Sequence, residues 1–219
     1  MTASTTLHGP EYGPLNGERP EKLLLLLHGL GADGNDLIGL APELAEIAPN
    51  AVFVSPNAPQ RCDMSPMGYQ WFSLLDRTPS AILAGVQASA PILDTYISEQ
   101  RDRFGLQDGD VALLGFSQGT MMSLYVAPRR PAALGGVMGF SGKLVGPELL
   151  DAEIRSRPPV LLVHGEADQI VPWQASEQAD ILLSNLGFET ELLVRPHLPH
   201  GIDREGIDAA KAFLKRIWG

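Results

Sequence analysis

Val111-Ala112-Leu113-Leu114-Gly115-Phe116-Ser117-Gln118-Gly119 runs an apolar stretch into a serine held between two glycines, and a helix-competent segment follows at once. This is the G-x-S-x-G arrangement of a nucleophile elbow, in which the serine sits on a strained strand-to-helix turn. Gly115 and Gly119 leave the crowded backbone room, since neither carries a Cβ. The Ser117 hydroxyl would then project above the end of a sheet, where a base can reach it. The motif alone is a weak signal, and its context decides: a strand before it and a helix after it. A serine hydroxyl is a poor nucleophile at neutral pH unless a base takes its proton and an acid orients that base. The rest of the chain must supply both, with donors for the developing oxyanion.

Outward from the elbow, the chain alternates between two periodicities. Residues 23–27 are five consecutive leucines bounded by charge and by His28-Gly29, which reads as a buried strand. A glycine-rich loop follows at 28–34, and 36–47 sets Leu37, Leu40, Leu44 and Ile47 on one helical stripe. Residues 51–55 form a second buried strand, ended by Pro56 and Pro59, and 60–79 has no period. Helical spacing returns over 80–104 (Ile82, Val86, Leu93, Ile97), with Pro91 expected to kink or split it. The elbow helix should stop near Pro128. Strands are then expected at 135–140, 159–163 and 191–194, and helices at 173–186, between Pro172 and Gly187, and at 203–218. Residues 1–21, rich in Gly, Pro and Asn, read as an irregular lead-in with room for a short edge strand near 5–8. The alternation predicts an α/β fold with a mainly parallel sheet and helices on both faces. No repeat or interdomain linker interrupts it, so 1–219 is expected to be a single domain.

Composition narrows the function. The chain has 219 residues, 44% hydrophobic and 19% charged, as in ordinary globular proteins. Sixteen basic against 26 acidic residues leave a formal charge of −10, which argues against nucleic acid and anionic membranes as partners. Cys62 is the single cysteine, which excludes an intrachain disulfide and fits a reducing compartment. The first ten residues do not read as a signal peptide, and no apolar run approaches the ~18 residues that span a bilayer. The expectation is a cytoplasmic protein without stable membrane insertion; monomer and homodimer both stay open.

In a sheet of this kind, ligands bind beyond the carboxyl ends of the strands. The segments there are 28–34, 117–118, 164–168 and 195–201. Asp168 is preferred as the acid over Glu166 and Asp180, because it lies in a loop just before the turn into Ile170-Val171-Pro172. His200 is preferred as the base over His197, His28, His164 and His8, since Gly201 and the closing helix let its ring reach inward. His28 and His164 stand at strand ends before glycine and are expected to pack or hydrogen-bond there. The order Ser117, Asp168, His200 is the one an α/β-hydrolase arrangement requires. Oxyanion donors are expected from the N–H of Gln118, at a helix N-terminus, and of Leu30, between Gly29 and Gly31. The interval 141–158 is only 18 residues, too short for a helical cap domain, so the site should be open to short and medium acyl chains. Cover is left to 60–79, where Trp71, and then Met67, are expected to wall an acyl groove; Tyr69 and Phe72 are expected to pack against the domain. No cluster has metal-site spacing, and no metal or organic cofactor is expected.

Taken together, GFSQG (115–119), HGLGADG (28–34), PNAP (56–59), MGYQWF (67–72), HGEAD with VP (164–172) and the late HG (200–201) resemble the phospholipase/carboxylesterase family. Its members are small α/β-hydrolases without a cap, among them acyl-protein thioesterases and bacterial carboxylesterases. The resemblance covers the chain from about Leu23 onward. It implies hydrolysis of small-molecule carboxylic esters or thioesters, with Ser117, Asp168 and His200 on the triad positions. Leu30 and Gln118 fall on the oxyanion positions, and Trp71 on an aromatic near the acyl site. The proline-framed turn Pro196-His197-Leu198-Pro199 departs from the more flexible loop of many members. A lysophospholipase or acyl-protein thioesterase is the alternative enzyme, and a catalytically silent binding module the alternative outside enzymes.

Overall fold

Residues 7–219 are described by the structure, a computed structural model. The chain runs β1 (Glu11–Tyr12), β2 (Lys22–Leu27), α1 (Gly34–Ile38), α2 (Ala41–Ala45), β3 (Ala51–Val54), β4 (Gln60–Arg61), β5 (Tyr69–Gln70), α3 (Pro79–Phe104), β6 (Val111–Phe116), α4 (Gln118–Val126), β7 (Gly136–Phe140), α5 (Pro147–Glu153), β8 (Val160–Gly165), α6 (Gln174–Asn185), β9 (Thr190–Arg195) and α7 (Arg204–Trp218). Seven strands form one sheet in the order β1-β3-β2-β6-β7-β8-β9. All neighbours are parallel except β1, which pairs antiparallel with β3. This is the mainly parallel sheet of an α/β-hydrolase.

A strand of five leucines offers no polar position to solvent, so it must be covered on both faces. Leu23, Leu25 and Leu27 enter the core shared with α3, α4, α5 and α6. Leu24 and Leu26 enter the core under α1, α2 and α7. The chain leaves β2 toward β3 on one side and later returns as β6 on the other, with Leu27 opposite Gly115. The sheet therefore reverses its winding between β2 and β6, where crevices open at the strand ends. The glycine-rich loop and Ser117 meet at that crevice.

Four expectations need correction. The stripe over 36–47 is two short helices, α1 and α2, and Ile47 is exposed. Pro42 has no N–H to continue the α1 ladder and sits instead in the first turn of α2, where none is required. Pro91 does not split α3, whose 26 residues run unbroken between the N-cap Thr78 and the left-handed Gly105. Buried Val86, Ser89 and Leu93 around Pro91 hold it in place. Of the edge strand expected near 5–8, residues 5 and 6 lie outside the described residues, and Leu7 and His8 are not strand. The edge is β1, so the lead-in is not irregular throughout. Finally, 60–79 holds a small hairpin, β4 paired with β5. Between β7 and β8 the only helix is α5, and Val145 and Leu150 fasten this interval to the core. No described helix is long and apolar enough to cross a membrane.

Candidate active site

Ser117 takes φ 55° and ψ −111°, a conformation that costs a non-glycine residue energy and persists only where the surroundings impose it. They do so from three sides. The Ser117 N–H donates to Phe140 O at 2.9 Å, and Thr120 Oγ1 donates to Gly115 O at 2.7 Å and Phe140 O at 2.8 Å. A Cβ on Gly115 would meet the Gly119 and Thr120 backbone at 2.4 Å. Strand and helix are thus pressed together with the serine at the crossing.

Asp168 follows β8 and is brought to His200, which follows β9. His200 Nδ1 lies 2.6 Å from Asp168 Oδ2. The turn ahead of His200 explains the reach. His197 takes φ 61°, Ala167 N–H donates to Leu198 O at 3.0 Å, and Gly165 leaves space for the Leu198 carbonyl. The proline-framed turn is thereby fastened over the Asp168 loop, and His197 itself points to solvent. The His200 ring also leans on Phe116, with centroids 4.9 Å apart. Burial alone would raise the Asp168 carboxyl, but hydrogen bonds from His200 and from the N–H groups of Val171 and Ile170 outweigh it and hold it below its ordinary value. An ionised Asp168 only accepts, so His200 carries its proton on Nδ1 and presents a bare Nε2.

His28 and His164 are fully buried. His28 donates from Nδ1 to Gly29 O at 2.7 Å and accepts the Ala58 N–H on Nε2 at 3.0 Å. Its burial lowers its proton affinity, only partly offset by the bond to Gly29.

The loop carrying Leu30 is gripped by the 60–79 segment: Gly31 N–H donates to Tyr69 O and Tyr69 N–H to Ala32 O, both at 2.8 Å. Among the described residues, the N–H groups of Leu30 and Gln118 have no backbone acceptor. Trp71 is not part of the groove wall, contrary to expectation. It is 0% exposed and lies outside the cavity lining. Its indole N–H donates to His28 O at 3.0 Å, its backbone N–H to Gln118 Oε1 at 3.1 Å, and its carbonyl accepts from Ser89 Oγ. Met67 is 75% exposed and likewise lines no part of it. Phe72 is buried with Tyr69 packed nearby, as expected. The Gln118 amide, which sequence reading passed over, also donates to Phe72 O at 2.8 Å.

A cavity of about 380 Å³ opens beside Ser117 and His200. Its apolar wall comes from Leu74, Ile82, Met121, Val171 and Ala175, and Asp36, Arg77 and Lys143 add charge. Ile82 and Val171 stood in segments already singled out, as a helix stripe and a motif, but neither pattern says which way a side chain faces. Among the described residues no group of three or more His, Cys, Asp or Glu side chains is disposed to hold a metal.

The phospholipase/carboxylesterase family model matches residues 15–218. The solved structure of esterase PE8 superposes with a TM-score of 0.93 at 42% identity, covering 97% of this chain and 99% of that one. Acyl-protein thioesterase 1 of Kluyveromyces lactis is 33% identical over 76% of this chain and 81% of its own. A rice (Oryza sativa subsp. japonica) protein named a probable inactive carboxylesterase is 26% identical over 90% of this chain and 84% of its own. With the family model spanning residues 15–218, this chain belongs to the phospholipase/carboxylesterase family.

Proposed function

We propose that the protein is a serine esterase acting through Ser117, His200 and Asp168. A family with a member named inactive does not by itself imply activity, so the reading rests on one local observation. Ser117, at a positive φ, and His200 border one cavity, and His200 Nδ1 is bonded to a fully buried Asp168 carboxylate at 2.6 Å. Ser117 Oγ attacks the ester carbonyl while His200 Nε2 takes its proton. The imidazolium so formed faces the Asp168 charge, and the N–H groups of Leu30 and Gln118 take up the oxyanion. His200 returns the proton to the departing alcohol, then activates water against the acyl-enzyme. Short to medium acyl groups fit a cavity of about 380 Å³, near the lower end of ligand-site sizes. The reading treats 1–219 as one domain and, with Cys62 unpaired, the cytoplasm as its compartment.

An active-site fluorophosphonate should form an adduct on Ser117 that Ser117→Ala abolishes. Ser117→Ala and His200→Ala should each lower kcat by about 10⁴-fold or more, and the double variant little beyond either. No adduct and no ester turnover would leave a silent binding module instead. Thioesters present the same carbonyl to the same groups, and p-nitrophenyl and thiocholine esters of graded acyl length separate the two substrate classes.

A further inference from the structure

His164 is the last residue but one of β8, and the alternation along that strand turns its ring to the face that α6 covers. A fully buried imidazole is costly unless every polar edge is met. Here each is. Nε2 lies 2.9 Å from Val171 O and 3.1 Å from Asp168 Oδ2, and Nδ1 lies 2.7 Å from Ser176 Oγ on α6. A carbonyl can only accept, so the ring proton is on Nε2, and Ser176 donates to Nδ1.

Asp168 is consequently saturated. Oδ1 accepts the N–H groups of Ile170 at 2.8 Å and Val171 at 2.9 Å, and Oδ2 accepts from both His200 and His164. We propose that His164 is a positioning residue for the reaction: a neutral N–H donor that shares Asp168 Oδ2 with His200, fixing the aim of the carboxylate and moderating the proton affinity of His200. The inference rests on the triad reading above. An oxygen that shares its lone pairs between two donors holds each less strongly than an oxygen serving one. Without His164, the full charge of Oδ2 would fall on His200, favour its imidazolium and free the carboxylate to rock.

The groups facing His164 are few. Asp168 comes from the following loop and His200 from the loop after β9, while α6 offers uncharged Ser176 and the chain after β7 the Gly142 carbonyl, 3.5 Å from Ser176 Oγ. Burial lowers the proton affinity of His164, partly offset by the bond to Val171 O and by Asp168. Burial thus favours its neutral ring.

The experiment compares kcat and KM against pH for the wild type, His164→Leu and His164→Gln. In His164→Leu, kcat should fall about tenfold with KM within about twofold, as for outer partners of a catalytic group. The acidic limb should move up by about half a pH unit, because an unshared carboxylate favours imidazolium. In His164→Gln, whose amide N–H can reach the same two acceptors, the limb should return to the wild-type position. The low-field His200 Nδ1 proton should move further downfield in His164→Leu. An unmoved limb in His164→Leu, or one that His164→Gln fails to restore, overturns the proposal. Should His164→Leu not fold, nitrogen NMR of the wild type decides. Protonation of His164 together with or before His200, or a proton on Nδ1, sinks it. Ser117→Ala belongs in the same series: turnover surviving there would mean the triad reading has failed, whereas loss there with an unmoved limb in His164→Leu defeats only this inference.

Discussion

Replacing Gly119 by alanine asks whether the elbow needs glycine for space. A Cβ there would lie 1.8 Å from the Leu27 carbonyl oxygen and 2.5 Å from its carbon, both backbone atoms at the end of β2. Real Cβ atoms do not come within 3.0 Å, so β2 and the start of α4 must part by 1.2 Å (3.0 − 1.8). Neither side yields readily. Leu27 is in register with Gly115, and a Cβ on Gly115 would itself stand 2.4 Å from the Gly119 backbone. Overpacking of this kind costs about 1–3 kcal/mol, and we expect the upper end because backbone must move. Leu30 follows β2 and Gln118 directly precedes Gly119, so the same opening draws their two N–H groups apart. A displacement of about 1 Å costs roughly 10²-fold in rate. Urea unfolding should show a lower midpoint with an unchanged slope. Turnover of p-nitrophenyl butyrate should show kcat down about 100-fold and KM within about threefold. Gly109→Ala is the control, since nothing lies within 4 Å of its added Cβ; it should stay within about 0.5 kcal/mol at full activity. If Gly119→Ala kept both the wild-type midpoint and the wild-type kcat, the steric account of the elbow would be wrong.

Trp71→Phe removes the indole donor from His28 O and leaves a buried carbonyl unpaired, at a cost of about 1–3 kcal/mol. Acyl-length preference among acetate, butyrate and octanoate esters should not move, and a changed profile would return Trp71 to the groove wall. Ile82→Phe narrows the cavity from α3, so kcat/KM for octanoate should fall about tenfold while acetate stays within twofold. Equal losses on both esters would mean that Ile82 does not bound the acyl chain. Burial holds His28 and His164 below the ordinary histidine value, so above about pH 6.5 neither the folded nor the unfolded chain protonates them and their stability is fully present. As pH falls below that, the unfolded chain takes up protons first, and stability declines by up to about 1.4 kcal/mol per pH unit for each histidine until its folded value is passed. The lowered carboxyl of Asp168 adds stability that is kept above about pH 3.9 and lost only as pH falls through its folded value. A urea midpoint flat from pH 7 to 5 contradicts the histidine account.

The sheet was legible because its central strands are buried on both faces, and five leucines at β2 leave that no alternative. That Ser117, Asp168 and His200 would lie near one another was legible because each comes after a strand, and parallel strands bring their carboxyl ends to one edge. A hydrophobic stripe, by contrast, reports which side chains face the core and not whether the hydrogen-bond ladder is continuous. Leu37 and Leu44 are buried as read, yet Pro42 breaks the ladder between them. Trp71 was the harder residue, since an aromatic in an aperiodic stretch can line a groove or fill a core. The deciding contact, its indole N–H on His28 O, joins residues 43 apart in sequence. Such a pairing has no local signature. Position in the core does not remove Trp71 from the chemistry, however. Through His28 O it holds the strand end that leads to Leu30, and through Gln118 Oε1 it holds the residue after Ser117. The two N–H groups proposed to take up the oxyanion therefore both hang on one buried indole residue, while Ile82, Met121 and Val171 line the cavity beside Ser117. Changes at Trp71 should then act on stability and kcat, and changes at the wall on which ester is preferred.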